Sequence, residues 1–295
     1  RRNGRCMKGT KEACGTVHCG ACSVLVDGIL MRSFVTLLRR VDGKTVETIE
    51  NAPHDTMLQT IQRSFLDVGA VQCGFCTPGM VMATKALLLH DAAPDEREIY
   101  EGLKNNYCRC TGYVKIIEAV KLAAARLRGE TPDIDSFRTH ESTVIVVGEN
   151  QIVPPITGSA VGKSVWDVDG MDKTGGRLKF CDDYTEEDIG ADTLLHGAFV
   201  WAPVPHARIN AMDCTAAEQA EGVVRIVTAA DVPGMNKMGT WTPEQPVFCT
   251  DEVNFLGDHL ALVVADTVEH ARAAAKLVRI DYEELPGIYT MADGY

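Results

Sequence analysis

Eight of the eleven cysteines in this 295-residue chain lie within its first 110 residues, and this concentration constrains the fold more than any other feature. The other three, Cys181, Cys214 and Cys249, are isolated along the chain. A disulfide framework is typical of small secreted domains that cannot bury a sizeable core. This chain is long and 45% hydrophobic, so it does not need such cross-links. Closely spaced cysteines in a chain of this kind more often bind metal.

The first group of cysteines has the spacing Cys14-x4-Cys19-x2-Cys22. This is the plant-type ferredoxin spacing for a [2Fe–2S] cluster, which also needs a fourth, more distant Cys. Gly15 and Gly20 would let the backbone curl close to the inorganic sulfides, whose charge loop N–H groups can meet. A structural zinc loop is disfavoured here, because zinc sites prefer paired C-x2-C units.

The second group consists of two close pairs, Cys73-x2-Cys76 and Cys108-x-Cys110. Four cysteines in two pairs are suited to either a zinc ion or a [2Fe–2S] cluster. Spacing alone favours zinc, because zinc sites are commoner, although the C-x-C half argues a little against it. Both alternatives remain open on these residues.

The hydrophobic pattern around the two groups changes along the chain. Residues 22–50 alternate as strands do, with turns at Asp27-Gly28 and Asp42-Gly43, and predict a small β unit over residues 1–52. Residues 53–128 then show helical periodicity, with predicted helices over 55–67, 78–90, 95–106 and 113–128. A bundle of these helices can bring both Cys pairs of the second group to one end, where helix N-termini face anionic thiolates.

The second half of the chain has a different organisation. Residues 129–160 contain Pro, Thr, Ser and Gly with little periodicity and predict an interdomain linker. Residues 161–295 predict an α/β or α+β domain. Its expected strands are Leu194 to Trp201, Val223 to Thr228, Leu260 to Ala265 and Leu277 to Asp281, and its expected helices are 215–221 and 267–275. Its four histidines lack metal-ligand spacing, and we expect them to be structural or exposed.

Charge and hydropathy exclude two classes of partner. The net charge is −12, and the first 128 residues hold 18 basic and 13 acidic side chains. A nucleic-acid binder would carry a concentrated basic face, so we expect no nucleic-acid partner. The longest apolar run, Leu260 to Ala265, is too short to span a bilayer, so we expect no membrane segment. No secretory leader opens the chain, and we expect that both of its ends are cut.

Several segments resemble the molybdenum hydroxylases, the xanthine dehydrogenase and aldehyde oxidoreductase family. Residues 9–28, GTKEACGTVHCGACSVLVDG, resemble that family's first [2Fe–2S] segment. Residues 72–80, QCGFCTPGM, and 105–113, NNYCRCTGY, resemble the second almost letter for letter. Three further segments resemble the start of the family's molybdenum subunit. They are residues 170–182 (GMDKTGGRLKFCD), 205–213 (PHARINAMD) and 222–231 (GVVRIVTAAD).

The resemblance implies an α+β fold with three parts. These are a partial β-grasp ferredoxin-like domain (1–52), a four-helix [2Fe–2S] bundle (53–128) and, after the linker, an α/β hammerhead domain (161–295). It implies that a [2Fe–2S] cluster, not zinc, binds to Cys73, Cys76, Cys108 and Cys110. A distal cluster would bind to Cys14, Cys19 and Cys22. Gln72 and Cys110 would lie nearest a molybdenum–pterin cofactor.

The chain departs from the family's pattern in three ways. The fourth distal ligand is expected twelve residues after Cys22, where this chain has Phe34, whose phenyl ring cannot bind iron. Two nearby groups, Cys6 and His18, are alternative ligands, and we favour the interpretation that neither substitutes. Val17 stands in place of a loop Gly. Finally, we expect a fragment: the opening β-strands, the large molybdenum-binding domains and their catalytic Glu are missing, and no flavin domain precedes the hammerhead.

The leading hypothesis is therefore the electron-transfer portion of an oxidoreductase, with no catalytic residue of its own. Electrons would pass from a molybdenum–pterin site through the clusters to an external acceptor, such as a flavin subunit. We expect the partners to be the remaining molybdenum-binding domains, within a cytoplasmic, oligomeric enzyme. The alternatives are a non-catalytic zinc protein and an interaction scaffold.

Overall fold

The computed structural model describes residues 7–134, 165–239 and 244–294. Cys6 and most of the predicted linker lie outside these residues. The chain divides into two compact units, Arg1–Asp183 and Tyr184–Tyr295. Residues 165–183 thus belong to the first unit, whereas the sequence placed them in the third domain; the domain start at residue 161 stays a prediction.

A small antiparallel sheet lies at the start of the first unit. Its strand order is β2-β1-β3, with β1 (Ser23–Val26) in the centre, β2 (Ile29–Arg32) on one side and β3 (Val46–Glu47) on the other. Asp27 and Gly28 connect β1 to β2 with φ angles of 48° and 81°. Positive φ at both central residues is what a tight hairpin turn requires, so the turn predicted at Asp27-Gly28 is confirmed.

Four helices follow the sheet, one in each of the four segments where a helix was predicted. They are α1 (Thr56–Asp67), α2 (Thr77–His90), α3 (Glu96–Leu103) and α4 (Val114–Leu127). The Asp95 and Glu98 side chains form a capping box that starts α3, at 2.8 and 2.7 Å. The end of α3 was predicted wrongly: the helix stops at Leu103 rather than residue 106, because Asn106 and Tyr107 bond to the first Cys loop.

An apolar core holds these helices together. Its largest side chains are almost completely buried and come from all four helices: Ile61, Phe65, Met80, Met82, Ile99, Ile116 and Leu122. A short fifth helix, α5 (Gly170–Thr174), packs on α1 and α2. Near it, the Trp166 indole donates to Asp67 at 3.1 Å and the Gln62 amide donates to the Thr174 carbonyl at 3.2 Å.

The second unit contains two three-stranded antiparallel sheets, with strand orders β4-β8-β6 and β7-β5-β9. Their bounds are β4 His196–Trp201, β5 Ala207–Asp213, β6 Val223–Val227, β7 Glu252–Val253, β8 His259–Ala265 and β9 Arg279–Glu284. Three short helices accompany them, α6 (Glu186–Ile189), α7 (Thr215–Glu218) and α8 (Val268–Ala275). The α+β class is confirmed. The strand pattern missed β5, because only its first residue is buried.

Three of the four predicted strands of this unit lie within two residues of their expected positions. The fourth overlaps its predicted range only in part. Strand β9 runs from Arg279 to Glu284, whereas the prediction ran from Leu277 to Asp281. Among the described residues, no helix has both the length and the apolar character needed to cross a bilayer.

Candidate metal centres

The second Cys group lies where the helices of the first unit begin and end. Cys73 and Cys76 are on the loop that leads into α2, and Cys108 and Cys110 are on the loop between α3 and α4. Cys76 lies close enough to Cys108 and Cys73, and Cys110 close enough to Cys73 and Cys108, for these neighbours to affect its pKa. These mutual effects indicate that the four predicted ligands are near one another, as an inner pair, Cys76 with Cys108, and an outer pair, Cys73 with Cys110.

Burial and hydrogen bonding act differently on these thiols. Burial raises the pKa of the Cys76 thiol. Burial would also raise the pKa of Cys108, but the Thr111 hydroxyl, which donates to its sulfur at 3.2 Å, and nearby backbone groups lower it. The hydrogen bond to Cys73 raises the pKa of Cys110. Metal binding would displace the protons of all four thiols, since iron binds thiolates.

The paired arrangement suits a [2Fe–2S] cluster. Within the described parts of the chain, no three Cys, His, Asp or Glu side chains converge as they would on a single metal ion. A [2Fe–2S] cluster makes a different demand, because two thiolates bind each of its two irons. Two thiol pairs at one end of the bundle meet that demand. The N-terminus of α2 begins directly after Cys76 and adds a favourable dipole for anionic ligands.

The backbone around Cys108 is held in an unusual conformation. Tyr113, directly before α4, has φ of 70°, which is uncommon for a residue other than Gly. Its hydroxyl accepts a hydrogen bond from the Cys108 N–H at 2.9 Å. The loop between Cys108 and α4 is therefore closed by one of its own side chains, which limits where the two sulfurs can move.

The loop between Cys73 and Cys76 is covered by residues that sequence reasoning did not select. Gly74 is buried with φ of 82°, and a Cβ on it would lie 2.5 Å from Cγ of Lys173. The Phe75 ring packs edge-on against Phe180, with ring centroids 5.1 Å apart. The ammonium of Lys11 lies 5.8 and 5.2 Å from these two centroids. Residues 170–182 were noted only for their resemblance to the family's molybdenum subunit. That resemblance did not indicate a contact with this loop.

One edge of the second Cys group faces solvent. Cys73, Cys110 and the adjacent Gln72 are all exposed, whereas Cys76 and Cys108 are only partly accessible. Gln72 and Cys110 are the two residues that the resemblance places beside a pterin cofactor. They lie on the same side of the site, because Cys73, the neighbour of Gln72, is close enough to Cys110 to raise its pKa.

The first Cys group has a different geometry. Cys14 is exposed, Cys19 is partly buried, and Cys22 is buried directly before β1. Hydrogen bonds with Thr16 and Cys19 lower the pKa of the Cys14 thiol to about 6. Phe34 follows β2 in a single turn of 3-10 helix, and its side chain is 46% exposed. Three thiols and a phenyl ring do not provide the four thiolates that a [2Fe–2S] cluster needs.

The second unit offers no comparable site within its described residues. His206 bonds to the Pro286 carbonyl and to Glu252, and His270 bonds to Asp266 at 2.6 Å. His259 stacks on the Phe199 ring with centroids 4.4 Å apart. These contacts agree with the structural roles expected for the histidines.

Two family models match the chain. A [2Fe-2S] binding domain matches residues 45–121, and the a/b hammerhead domain of aldehyde oxidase and xanthine dehydrogenase matches residues 175–286. The xanthine dehydrogenase iron-sulfur-binding subunit of Escherichia coli O157:H7 is 44% identical over 115 residues, which cover 37% of this chain and 70% of that subunit. The chain belongs to the molybdenum hydroxylase family. The predicted resemblance is thereby confirmed.

Relatives within this family include both long chains and small subunits. The nicotinate dehydrogenase small FeS subunit of Eubacterium barkeri is 41% identical over 120 residues, covering 41% of this chain and 76% of that subunit. The aldehyde oxidoreductase of Megalodesulfovibrio gigas is 34% identical over 301 residues, covering 95% of this chain. Since the match covers 30% of that enzyme, the present chain spans about a third of its length.

A solved structure shows the same arrangement of elements. The aldehyde oxidoreductase from Desulfovibrio desulfuricans matches with a TM-score of 0.77 and 32% sequence identity, over 97% of this chain and 31% of that one. This match extends through both compact units. The fold expected from the cysteine segments and the hammerhead segments is therefore that of this family.

Proposed function

We propose that this chain is the iron–sulfur electron-transfer portion of a molybdenum hydroxylase. Its second Cys group, Cys73, Cys76, Cys108 and Cys110, would hold a [2Fe–2S] cluster. The observation that carries the proposal is the placement of these four thiols on two neighbouring loops of the bundle, close enough to affect one another's pKa. A bound [2Fe–2S] cluster supplies one-electron redox chemistry, and the protein supplies ligands, hydrogen bonds and exclusion of water.

Each thiol pair has its own surroundings. Residues of the inner pair, Cys76 and Cys108, pack against the apolar core of the bundle. Thr111 and the surrounding N–H groups donate towards Cys108, and such hydrogen bonds to sulfur are one of the ways in which proteins set cluster potentials. The outer pair is open to solvent at the edge that Gln72 occupies. We propose that this edge faces the molybdenum–pterin cofactor of the complete enzyme.

The partners follow from the same arrangement. Several relatives are, by name, subunits of larger dehydrogenases. We propose that molybdenum-binding domains cover the edge formed by Gln72, Cys73 and Cys110, and that an external acceptor, such as a flavin subunit, receives the electrons. A reducing compartment keeps thiols available for iron, so the cytoplasm is the proposed location.

Iron content and electron paramagnetic resonance test the proposal. The purified chain is expected to be red-brown, to contain iron, and to give a [2Fe–2S] signal on reduction. The Cys108→Ser variant should lose the iron and the signal, because it removes one of the four thiolates. The matched control is Cys214→Ser, since Cys214 is a partly buried thiol in the second unit with no role in the site.

Two results would contradict the proposal. One is iron content that stays unchanged in Cys108→Ser while Cys214→Ser behaves like the wild type. The other is a colourless protein that contains zinc and gives no signal on reduction, as the zinc alternative requires.

A further inference from the structure

We infer that the first Cys loop holds no iron–sulfur cluster and that each chain carries a single [2Fe–2S] cluster, at the second Cys group. This inference rests on the proposed electron-transfer function and sharpens it. It sets this chain apart from the two-cluster pattern that its cysteine segments otherwise resemble. It also means that an acceptor must take electrons directly from the second site.

The ligand count is the first part of the argument. A [2Fe–2S] cluster takes two ligands on each iron. Cys14, Cys19 and Cys22 supply three, so one iron would keep an open position. The strand that pairs with the buried Cys22 leads into Phe34: the Ser33 N–H donates to the Cys22 carbonyl at 3.0 Å. The residue that follows this backbone contact presents a phenyl ring, which cannot bind iron.

One candidate replacement already makes a hydrogen bond within the loop. His18 lies beside Cys19, and its Nδ1 is 3.0 Å from the Thr16 hydroxyl. Both side chains belong to the exposed part of the loop. The hydrogen bond fixes His18 towards its own loop. It thereby satisfies one ring nitrogen without metal.

Protein groups also hold the end of the loop in place. The Gly20 carbonyl accepts hydrogen bonds from the Ser23 hydroxyl at 2.6 Å and from the Asn106 amide at 3.2 Å. The Cys19 carbonyl accepts from the Tyr107 N–H at 2.9 Å. Asn106 is 2% exposed, so these bonds are shielded from water. The carbonyls of Cys19 and Gly20 are therefore satisfied by protein groups, so this part of the loop does not depend on iron.

A second set of contacts gives the loop a structural role. Arg32 donates to the Ser23 hydroxyl at 2.8 Å, to the Asn105 carbonyl at 3.0 Å and to the Asn106 side chain at 3.3 Å. Gly20 lies so close to this segment that a Cβ on it would be 2.5 Å from the Asn105 carbonyl oxygen. The loop therefore supports the residues that lead directly to Cys108. A cluster-free loop still contributes to the second site.

The test compares iron per chain and electrons per chain in the full protein. Wild type should contain about two iron atoms, and a reductive titration should consume about one electron. Phe34→Cys should raise the iron towards about four atoms and add a second resonance signal. Val35→Cys is the matched control, because it adds an exposed thiol one residue away and should leave the iron unchanged.

A second variant keeps the inference testable if Phe34→Cys does not fold. Cys14→Ser should leave the iron content, the resonance signal and the melting temperature of the wild type unchanged. Cys108→Ser should lose the iron. This pair of results would support both the inference and the proposed function.

Two other outcomes overturn the inference, and they are distinguishable. About four iron atoms and two signals in wild type would refute it while leaving the proposed function intact. Cys6→Ser, His18→Ala and Cys181→Ser would then identify the replacement ligand. Iron that is lost in Cys14→Ser but kept in Cys108→Ser would refute both.

Discussion

A buried ion pair between the small sheet and the bundle should be essential for the stability of the first unit. Lys85 of α2 is 7% exposed, and its ammonium lies 2.5 Å from Glu47 of β3 and 2.5 Å from Asp55, the N-cap of α1. The two carboxylates are 20% and 19% exposed. Lys85→Met keeps most of the aliphatic stem but leaves both acids unpaired and facing each other.

The expected loss can be estimated from this geometry. Removing one partner of a buried ion pair costs about 3–5 kcal/mol, because the remaining charge stays desolvated. For a unit of this size, each kcal/mol lowers the melting temperature by about 2–4 °C. We therefore expect Lys85→Met to melt roughly 6–20 °C below wild type. Thermal unfolding followed by far-UV circular dichroism measures this, since the long helices are all in the first unit.

Two further variants isolate the cause. Lys104→Met removes an ammonium that lies 2.8 Å from Glu101, but these side chains are 61% and 64% exposed, so solvent screens the pair and the expected loss of stability is much smaller. Adding Glu47→Gln and Asp55→Asn to Lys85→Met removes the unpaired charges, and Asn remains a good N-cap for α1. This triple variant should recover part of the loss. A Lys85→Met protein that melts like Lys104→Met would refute the reasoning.

Two more predictions concern Asp55, which pairs with Lys85, and Gly74 of the loop between Cys73 and Cys76. Burial opposes the ionised form of Asp55, but hydrogen bonds from Lys85 and the Leu58 N–H lower its pKa below the ordinary 3.8. Ionised Asp55 therefore contributes to the free energy of unfolding above that value, and this contribution is lost as the pH falls through the lowered pKa. The urea concentration at the unfolding midpoint should consequently drop more at acid pH in wild type than in Asp55→Asn. Gly74→Ala should lower both iron content and melting temperature, because its Cβ would meet Lys173; Gly28→Ala, at a similar φ but in open space, should keep its iron.

Local features explain why the helices could be predicted from the sequence. Asp55 and Asp95 cap the helices that follow them, and Pro78 lies in the first turn of α2. Each of these effects involves residues only a few positions apart. The end of α3 was missed because it depends on a contact between Asn106 and Gly20, which are 86 residues apart. No local pattern carries that information.

In the candidate site, too, the sequence predicted which residues take part but not the contacts between distant segments. Spacing and resemblance selected the four cysteines of the second group, but spacing did not indicate that Cys76 would contact Cys108. The cover over Gly74 was also unpredictable, because Lys173 and Phe180 lie about a hundred residues further along the chain. Phe34 is the opposite case. Its position, where the resemblance expects the fourth ligand, predicted that this ligand is missing, and the structure added the hydrogen bonds from Ser23, Asn106 and Tyr107 to the loop.

These hydrogen bonds and the apolar core also refine what Cys108→Ser should do. Where metal ligands come from segments that do not otherwise pack, losing the metal unfolds the protein. In this bundle, however, α1 packs on both α2 and α4 through side chains that are almost completely buried, such as Phe65, Met80 and Leu122. Full burial of one such side chain contributes about 1.5–3 kcal/mol. The helices are therefore stabilised independently of the cysteine loops, and Cys108→Ser should lose its iron while its far-UV circular dichroism spectrum stays close to that of wild type.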